Sequence, residues 1–364
     1  MEILLIKEDF REDWDALVAR EPSFSLLQSW QWGTFKETSG WKVYRVAVWD
    51  KVSLIAGAQL LIRSAPLGIA SMAYIPRGPV GDWMNPAITP LLLDELHRIA
   101  RGQQAIFLRI EPSLPDYSTC ASTLQNHGFQ SSSYTNQPRA TIVVDLSQGI
   151  DSLFTQLHQK TRYNIRYASR KGVVMRVGDE NDLPMFHRLM GVTASRGGFT
   201  VRSLDYYRDE WRAFSKTGQV KLFIAEYQGN PIAVNMSAVF GKCAAYLHGG
   251  STGEYANFQP NYLIMWEAMR WAHTQGCKSF DLWGIPDEVG ISVIRTGSDL
   301  PKSDRTDGLW GVYRFKRGFS DNVVLFASAH DYAYSPLLYK LATNRYFSTD
   351  TFETIASFMD RIRN

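Results

Sequence analysis

The sequence predicts a mixed α/β (α+β) protein made of two similar domains in tandem. Three observations carry that expectation. Apolar residues are 45% of the chain and charged residues 21%, ordinary globular usage that provides for a sizeable core. The 364 residues suit two domains, or one large one, at roughly 100–200 residues each. A succession of strand, turn, strand, helix and strand also occurs twice, with matching segments about 175 residues apart.

The first copy begins at WKVYRVAVWDKVSLIAGAQLLI, Trp41 to Ile62. Val43, Arg45, Ala47 and Trp49 alternate with Tyr44, Val46 and Val48, the two-residue period of a strand. Asp50-Lys51 reads as a turn, after which an apolar run resumes. Ile88 to Pro112 then reads as a helix with Leu92, Leu93, Leu96 and Ile99 at helical spacing, followed by Gly102, a strand and a proline. The second copy has β-rich runs on either side of Gln228-Gly229-Asn230-Pro231, between Val220 and Phe240. Its helix carries Leu263, Met265, Trp266, Met269 and Ala272, and Gly276, a strand and Pro286 follow. A duplication of this length implies two α/β domains, 1–148 and 149–330, rather than a solenoid. The tail, 331–364, reads as one or two helices packing back on the first domain. Residues 287–310 read as a polar, mobile surface loop.

Charge and targeting narrow the function. Thirty-nine Lys and Arg against 36 Asp and Glu give +3, which excludes a uniformly basic coat but leaves room for a local patch. The N-terminus carries acids early and no long apolar core, so a secretory signal is not expected. The uncharged stretch from Ser64 to Pro76 is too short to span a bilayer and is broken by Pro66 and Gly68. A cytoplasmic location is the expectation. Cys120, Cys243 and Cys277 form no CxxC pair, so neither a disulfide framework nor a zinc site is indicated, and all three read as small buried apolar residues. HExxH, P-loop and GxSxG patterns do not occur.

A β-hairpin followed by a helix and a central strand is the middle of the N-acetyltransferase-type (GNAT) fold, so each half reads as a GNAT-like domain. Enzymes of that fold hold the pyrophosphate of coenzyme A on backbone N–H groups at a helix start, in a Q/R-x-x-G-x-G/A loop. Neither PRGPVGDWMNPAITP nor HGGSTGEYANFQPN, the loops ahead of the two helices, has that spacing. The fold expectation therefore comes with an acyl donor other than coenzyme A.

The strings QSWQWGTFKE, YIPRGPV, LRIEP, KTRYNIRYASRKGV, ASRGGFTVRSLDYY, AYLHGGST, FQPNYLIMWEAMRWA, FDLWGIP and YRFKRGFS are spread over about residues 25–320. In that order they resemble the Fem (FemABX) family of aminoacyl-tRNA-dependent peptidyltransferases. The resemblance implies two GNAT-like domains and transfer of an amino acid from aminoacyl-tRNA to an amine of the peptidoglycan precursor stem peptide. The precursor would be lipid-linked or a uridine-nucleotide-linked muropeptide, and neither metal nor organic cofactor would take part. No charged heptad segment is present, so the chain looks like the compact type without a coiled-coil arm. A lipid-linked acceptor would bring the protein transiently to the inner membrane surface, where basic residues suffice for contact.

The resemblance also assigns roles. It places Lys36 against the precursor phosphates, as a compact point charge, and maps Arg202 and Tyr206, four apart at a helix start, to the precursor, with Arg196 and Tyr207 as close competitors in register. Tyr246 would point into the cleft, and His248, two residues on, would share its strand face. Phe315 and Lys316 would sit near the aminoacyl ester, where a fixed cation can stabilise an oxyanion. Glu111, ending a central strand, would take a proton from the attacking ammonium, with Asp281 on the corresponding strand of the other half. Between Lys160 and Arg176 there are six cations and no acid, and Arg162, Arg166 and Arg170 fall four apart, a stripe suited to a tRNA backbone, with Tyr163 and Tyr167 as stacking surface. Two other readings stay open: an N-acyltransferase using another acyl donor on a small amine or exopolysaccharide precursor, and a non-catalytic tRNA- or muropeptide-binding protein.

Overall fold

A computed structural model describes residues 1–65, 70–297, 305 and 307–343. Pro66 and Gly68, residues 298–304 of the expected loop and the tail from 344 on lie outside the described residues. In chain order the first stretch runs β1 (Glu2–Leu5), α1 (Arg11–Val18), α2 (Trp30–Thr38), β2 (Lys42–Trp49), β3 (Leu54–Ser64), β4 (Ser71–Pro76), β5 (Val80–Gly81), α3 (Thr89–Gly102), β6 (Ala105–Glu111), α4 (Cys120–Asn126) and β7 (Gln130–Ser131). Next come β8 (Ala140–Asp145), α5 (Ile150–Gln156), α6 (Gln159–Arg170), β9 (Val173–Gly178), α7 (Leu183–Gly197), α8 (Leu204–Phe214), β10 (Val220–Tyr227), β11 (Asn230–Phe240) and β12 (Cys243–Ser251). The chain continues through α9 (Pro260–Thr274), β13 (Ser279–Ile285), α10 (Asp287–Thr296), α11 (Trp310–Arg317), β14 (Val323–Leu325), β15 (His330–Ala333) and α12 (Pro336–Thr343).

Both expected hairpins form, and their turns have local causes. Asp50 accepts hydrogen bonds from the backbone N–H of Val52 and Ser53, closing the β2–β3 turn. Gln228 and Gly229 both take positive φ, as a tight β10–β11 turn requires. Each hairpin leads through one more strand and a helix, α3 or α9, to a parallel neighbour: β4 beside β6, and β12 beside β13. The four leucine and isoleucine positions that predicted α3 are all buried. Helix α9 buries Leu263, Met265, Trp266, Met269 and Ala272 in the core of the second unit. All three cysteines are free and buried.

Two compact units result, one comprising Met1–Arg139 and the chain from Phe326 on, the other Ala140–Leu325. The division differs from the expected 148/149 and 330/331 in one respect at each end. Strand β8 pairs with β13 and β14, so it belongs to the second sheet, and β15 pairs with β6 and β7, so it belongs to the first. The sheets run β1-β2-β3-β4-β6-β15-β7, with β5 on β3, and β14-β8-β13-β12-β11-β10-β9. Residues 331–333 of the expected helical tail are therefore strand, and α12 follows them. Residues 287–296 of the expected loop are helix α10.

One ion pair explains why the chain after Phe326 is held in the first sheet. Arg109 on β6 and Asp331 on β15 are register partners, 2% and 0% exposed. The guanidinium donates through Nε and one NH2 group to the two carboxylate oxygens, both at 2.8 Å. The Tyr339 hydroxyl of α12 donates to the same carboxylate at 2.8 Å, so strand and helix share one anchor. Replacing Asp331 by alanine strands a buried guanidinium and should cost about 3–5 kcal/mol. Urea unfolding of Asp331→Ala beside wild type measures it, and a loss under about 1 kcal/mol would show that the pair is dispensable.

Candidate active site

The two sheets differ at their parallel strands. In the first, β4 and β6 stay paired from Ser71 to Pro76. In the second, β12 and β13 pair only from Cys243 to Ala245 opposite Ser279 to Asp281, and β12 then runs on to Ser251 against β11 alone. Bulges accompany the parting: Leu247 is skipped in the β11–β12 register, and Leu282 and Trp283 in the β8–β13 register.

Trp283 takes φ +65°, a left-handed conformation that is costly for a bulky residue and persists only where its surroundings hold it. Its own N–H donates to the Asp281 carboxylate at 2.7 Å, and the Thr141 hydroxyl donates to the same oxygen. From α11, the Lys316 ammonium donates to the carbonyls of Trp283 at 3.1 Å and Gly284 at 2.7 Å. Lys316 is 3% exposed. Burial pushes it down to about 7, and the Asp281 carboxylate works against that fall. The Tyr246 ring lies 5.8 Å from its Nζ.

Beside Lys316 on α11, Phe315 packs edge-on against Tyr262 and Phe319, with centroids 4.9 and 5.3 Å away. Phe315 also lines a cavity of about 410 Å³ at the start of α9. Its other walls include Gln259, Asn261 and Tyr262, and two cations, Lys160 of α6 and Arg314 of α11. Gln259 holds φ +61° there, turning the chain into the helix. A helix N-terminus with two cations is a place for phosphate oxygens.

Tyr246 belongs to the core side with α9 and α11. Its hydroxyl lies over Gly249, where a Cβ would collide with it. His248 does not share that environment: the bulge at Leu247 breaks the alternation, and His248 packs against Tyr207 and Phe186 of α8 and α7. Its Nε2 is 2.9 Å from the nearly fully buried Glu210 carboxylate. The Arg202 guanidinium is 5.6 Å from the Tyr206 ring, with both at the start of α8. The competitors are occupied: Tyr207 is core, and Arg196 donates to Ser251.

Lys36 and Glu111 lie in the first unit, apart from the other candidates in the chain's division. Lys36 is 7% exposed, with its ammonium 5.5–5.9 Å from the rings of Trp32, Phe35 and Trp41. Glu111 accepts from the Tyr74 hydroxyl at 2.5 Å and from the backbone N–H of Asn136 and Gln137. Burial raises its carboxyl above the usual range. With both oxygens engaged, its visible work is to fasten residues 136–137 to the end of β6.

The three α6 arginines make different contacts. Arg162 donates to the carbonyls of Thr155 and Leu157 and so caps the C-terminal end of α5, while Arg166 stacks over Phe154 at 4.9 Å. Arg170 faces Tyr163 instead, 5.8 Å away. Sequence reasoning passed over Lys160 and Gln259 as site residues. Lys160 opened the basic run and was the available signal for the pocket.

Lys316 makes stability depend on pH in a definite direction. Its folded pKa lies below the ordinary lysine value, so above pH 7 the unfolded chain holds a proton that the folded one lacks. Stability from this group therefore rises with pH between about 7 and 10, by up to about 1.4 kcal/mol per pH unit. Lys316→Met should flatten that rise in urea titrations at pH 7, 8 and 9. An unchanged slope would show that Lys316 titrates normally.

Comparisons with known proteins extend this geometry. The sequence profile of the FemAB family matches residues 10–230 and 215–346. A Lipid II:glycine glycyltransferase of Staphylococcus aureus is 24% identical, covering 91% of this chain and 93% of that protein. The crystal structure of FemX superposes with a TM-score of 0.81 at 21% identity, over 94% of this chain and all of that one. A tandem GNAT protein from the clavulanic acid pathway superposes at 0.54 with 12% identity, over 91% and 97% of the two chains. The fold is thus two GNAT-like domains in tandem. With the family profile matching nearly its whole length, the chain belongs to the FemAB family.

Proposed function

We propose that the chain is an aminoacyltransferase of peptidoglycan synthesis. It moves an aminoacyl group from the 3′ end of aminoacyl-tRNA to an amine on the stem peptide of a peptidoglycan precursor. The observation that carries the reading is Lys316, a buried cation held on a bulged strand, next in sequence to the wall of a phosphate-compatible cavity. The staphylococcal relative is named for glycyl transfer to lipid II, which supports the precursor as acceptor class.

The chemistry fits these groups. The acceptor amine attacks the ester carbonyl carbon, forming a C–N bond and placing negative charge on the carbonyl oxygen. An ammonium has three donors, and two of those on Lys316 meet backbone carbonyls. The third serves the oxyanion. Collapse breaks the C–O bond to the ribose, and the proton lost by nitrogen ends on the ribose hydroxyl through solvent. The ester is already activated, so no nucleotide triphosphate is consumed. Phe315, Lys160 and Arg314 frame the donor end, while Tyr246, Arg202, Tyr206 and Lys36 are assigned to the acceptor.

An acceptor in lipid-linked form would be met at the inner membrane face. Among the described residues no helix is long and apolar enough to cross a membrane, so such contact would be peripheral. The described residues also contain no group of three or more metal-ligating side chains.

Transfer of radiolabelled amino acid from a charged total-tRNA pool to lipid-linked and nucleotide-linked muropeptides tests the proposal. Label should reach a muropeptide, and RNase treatment of the donor should abolish it. Lys316→Met should lower turnover by about 10²-fold or more, the usual cost of losing one oxyanion donor. Transfer from an acyl-coenzyme A instead would sink the tRNA reading. Binding of both substrates without turnover would make the chain a binding protein.

A further inference from the structure

Helix α8 carries a buried carboxylate where its pattern calls for an apolar residue. Its inner face buries Tyr207, Trp211 and Phe214, and Glu210 lies among them at 1% exposure. Burying a carboxylate is costly unless it is paired. The partner is His248 of β12, whose Nε2 donates to the carboxylate at 2.9 Å. Among the described residues that carboxylate has no other hydrogen-bond partner. The other ion pairs of α8, Arg208 with Asp205 and Arg212 with Glu180, are exposed and hold little. Two apolar side chains of similar volume would serve stability at least as well as the buried pair. Its use therefore lies elsewhere than in cohesion.

What the pair joins identifies that use. One turn before Glu210 stands Tyr206, and Arg202 lies just ahead of Ser203, the residue that caps α8 by accepting from the Tyr206 N–H at 3.2 Å. The Arg202 carbonyl is held in turn by His187 of α7, with Nε2 3.1 Å away. Burial raises the Tyr206 phenol above its ordinary value and the Glu210 carboxylate adds to the rise, so the hydroxyl stays a neutral donor. At the other end of the pair, the bulge at Leu247 is what turns His248 towards Phe186 of α7 and Tyr207 of α8. An unbroken strand would send its side chain to the face that Tyr246 occupies. Glu210 has almost no surface for a substrate to touch, so the pair acts through α8.

We propose that Glu210 and His248 are positioning residues for the acceptor. Their bond fixes the depth and rotation of α8 on β12, and so sets where Arg202 and Tyr206 meet the precursor. The inference rests on the acceptor role given to those two residues in the proposed function, and adds what holds them in place.

Equilibrium binding of lipid-linked and nucleotide-linked muropeptides to the intact chain, beside steady-state transfer from charged tRNA, tests it. His248→Ala should weaken muropeptide binding and raise the muropeptide KM by about tenfold, well inside what a small misplacement of binding groups can cost. Turnover at saturating acceptor and the KM for charged tRNA should keep their wild-type values. His248→Gln, whose side-chain amide can donate to the same carboxylate, should restore most of the affinity. The double variant Glu210→Leu with His248→Leu removes the pair without leaving a buried charge, so its unfolding midpoint should stay at or above that of wild type. Its muropeptide affinity should nonetheless fall as far as that of His248→Ala. Wild-type affinity in the double variant would overturn the inference and leave the pair a structural one. Equal rises in both KM values would overturn it too, since the change would then not be confined to the acceptor. Binding by His248→Gln as weak as by His248→Ala would do the same, because the histidine itself would then touch the acceptor. A wild-type chain that neither binds nor labels either muropeptide removes the proposed function and this inference with it. Binding and transfer that survive loss of the pair remove the inference alone.

Discussion

The bulge at residues 281–284 of β13 is the constraint on which the candidate site depends. It keeps Trp283 at a positive φ, which costs of order 1–3 kcal/mol for such a residue. Asp281 offsets part of that from within the strand, and Lys316 secures the other side by its bonds to the carbonyls of Trp283 and Gly284. The bulge coincides with the parting of β12 from β13, and the parting gives the second sheet an opening at its centre that the first lacks. The same lysine that stabilises the bulge lies 5.8 Å from the Tyr246 ring and follows Phe315 of the cavity wall in sequence.

The duplication makes the contrast instructive. LRIEP in the first copy aligns with LWGIP in the second, so Arg109 stands where Trp283 does. Arg109 meets Asp331 in an unbroken ladder and locks β15 against β6. Trp283 has no such partner strand in register and is bulged out of it. One copy uses the position for cohesion and the other to open the strands. Glu111 falls on the cohesive side of that division, since its two oxygens bind Tyr74 and the backbone of residues 136–137.

Much of this was legible in the sequence and some could not be. The hairpins and the two crossover helices were legible, because alternation and helical spacing are direct consequences of burying one face. The destinations of β8 and β15 were not. Ala140–Asp145 has a strand's pattern, but a pattern tells which face is buried and not which sheet supplies the neighbours. The bulges were hidden for a similar reason: nothing in AYLHGGST or FDLWGIP marks Leu247 or Trp283 as a skipped residue, and the shared face expected for Tyr246 and His248 failed there. The basic run on α6 was legible as charge but not as geometry, since only packing reveals that Arg162 is committed to carbonyls of α5.

The energetic position of Lys316 gives the bulge a bearing on chemistry as well as shape. A cation so deeply buried, with only neutral carbonyls as direct partners, is poorly compensated, and its fall to about 7 expresses that. Interactions speed a reaction only when they are stronger in the transition state than before it. An ammonium already satisfied by a carboxylate would gain little from a new anion. Lys316 is satisfied only in part, so negative charge developing beside it is worth more than the neutral ester it replaces. The strain in Trp283 and the cost of burying Lys316 are thus two parts of one arrangement, in which a carboxylate bonded directly to the ammonium would make the fold more stable and the site less able to stabilise an oxyanion.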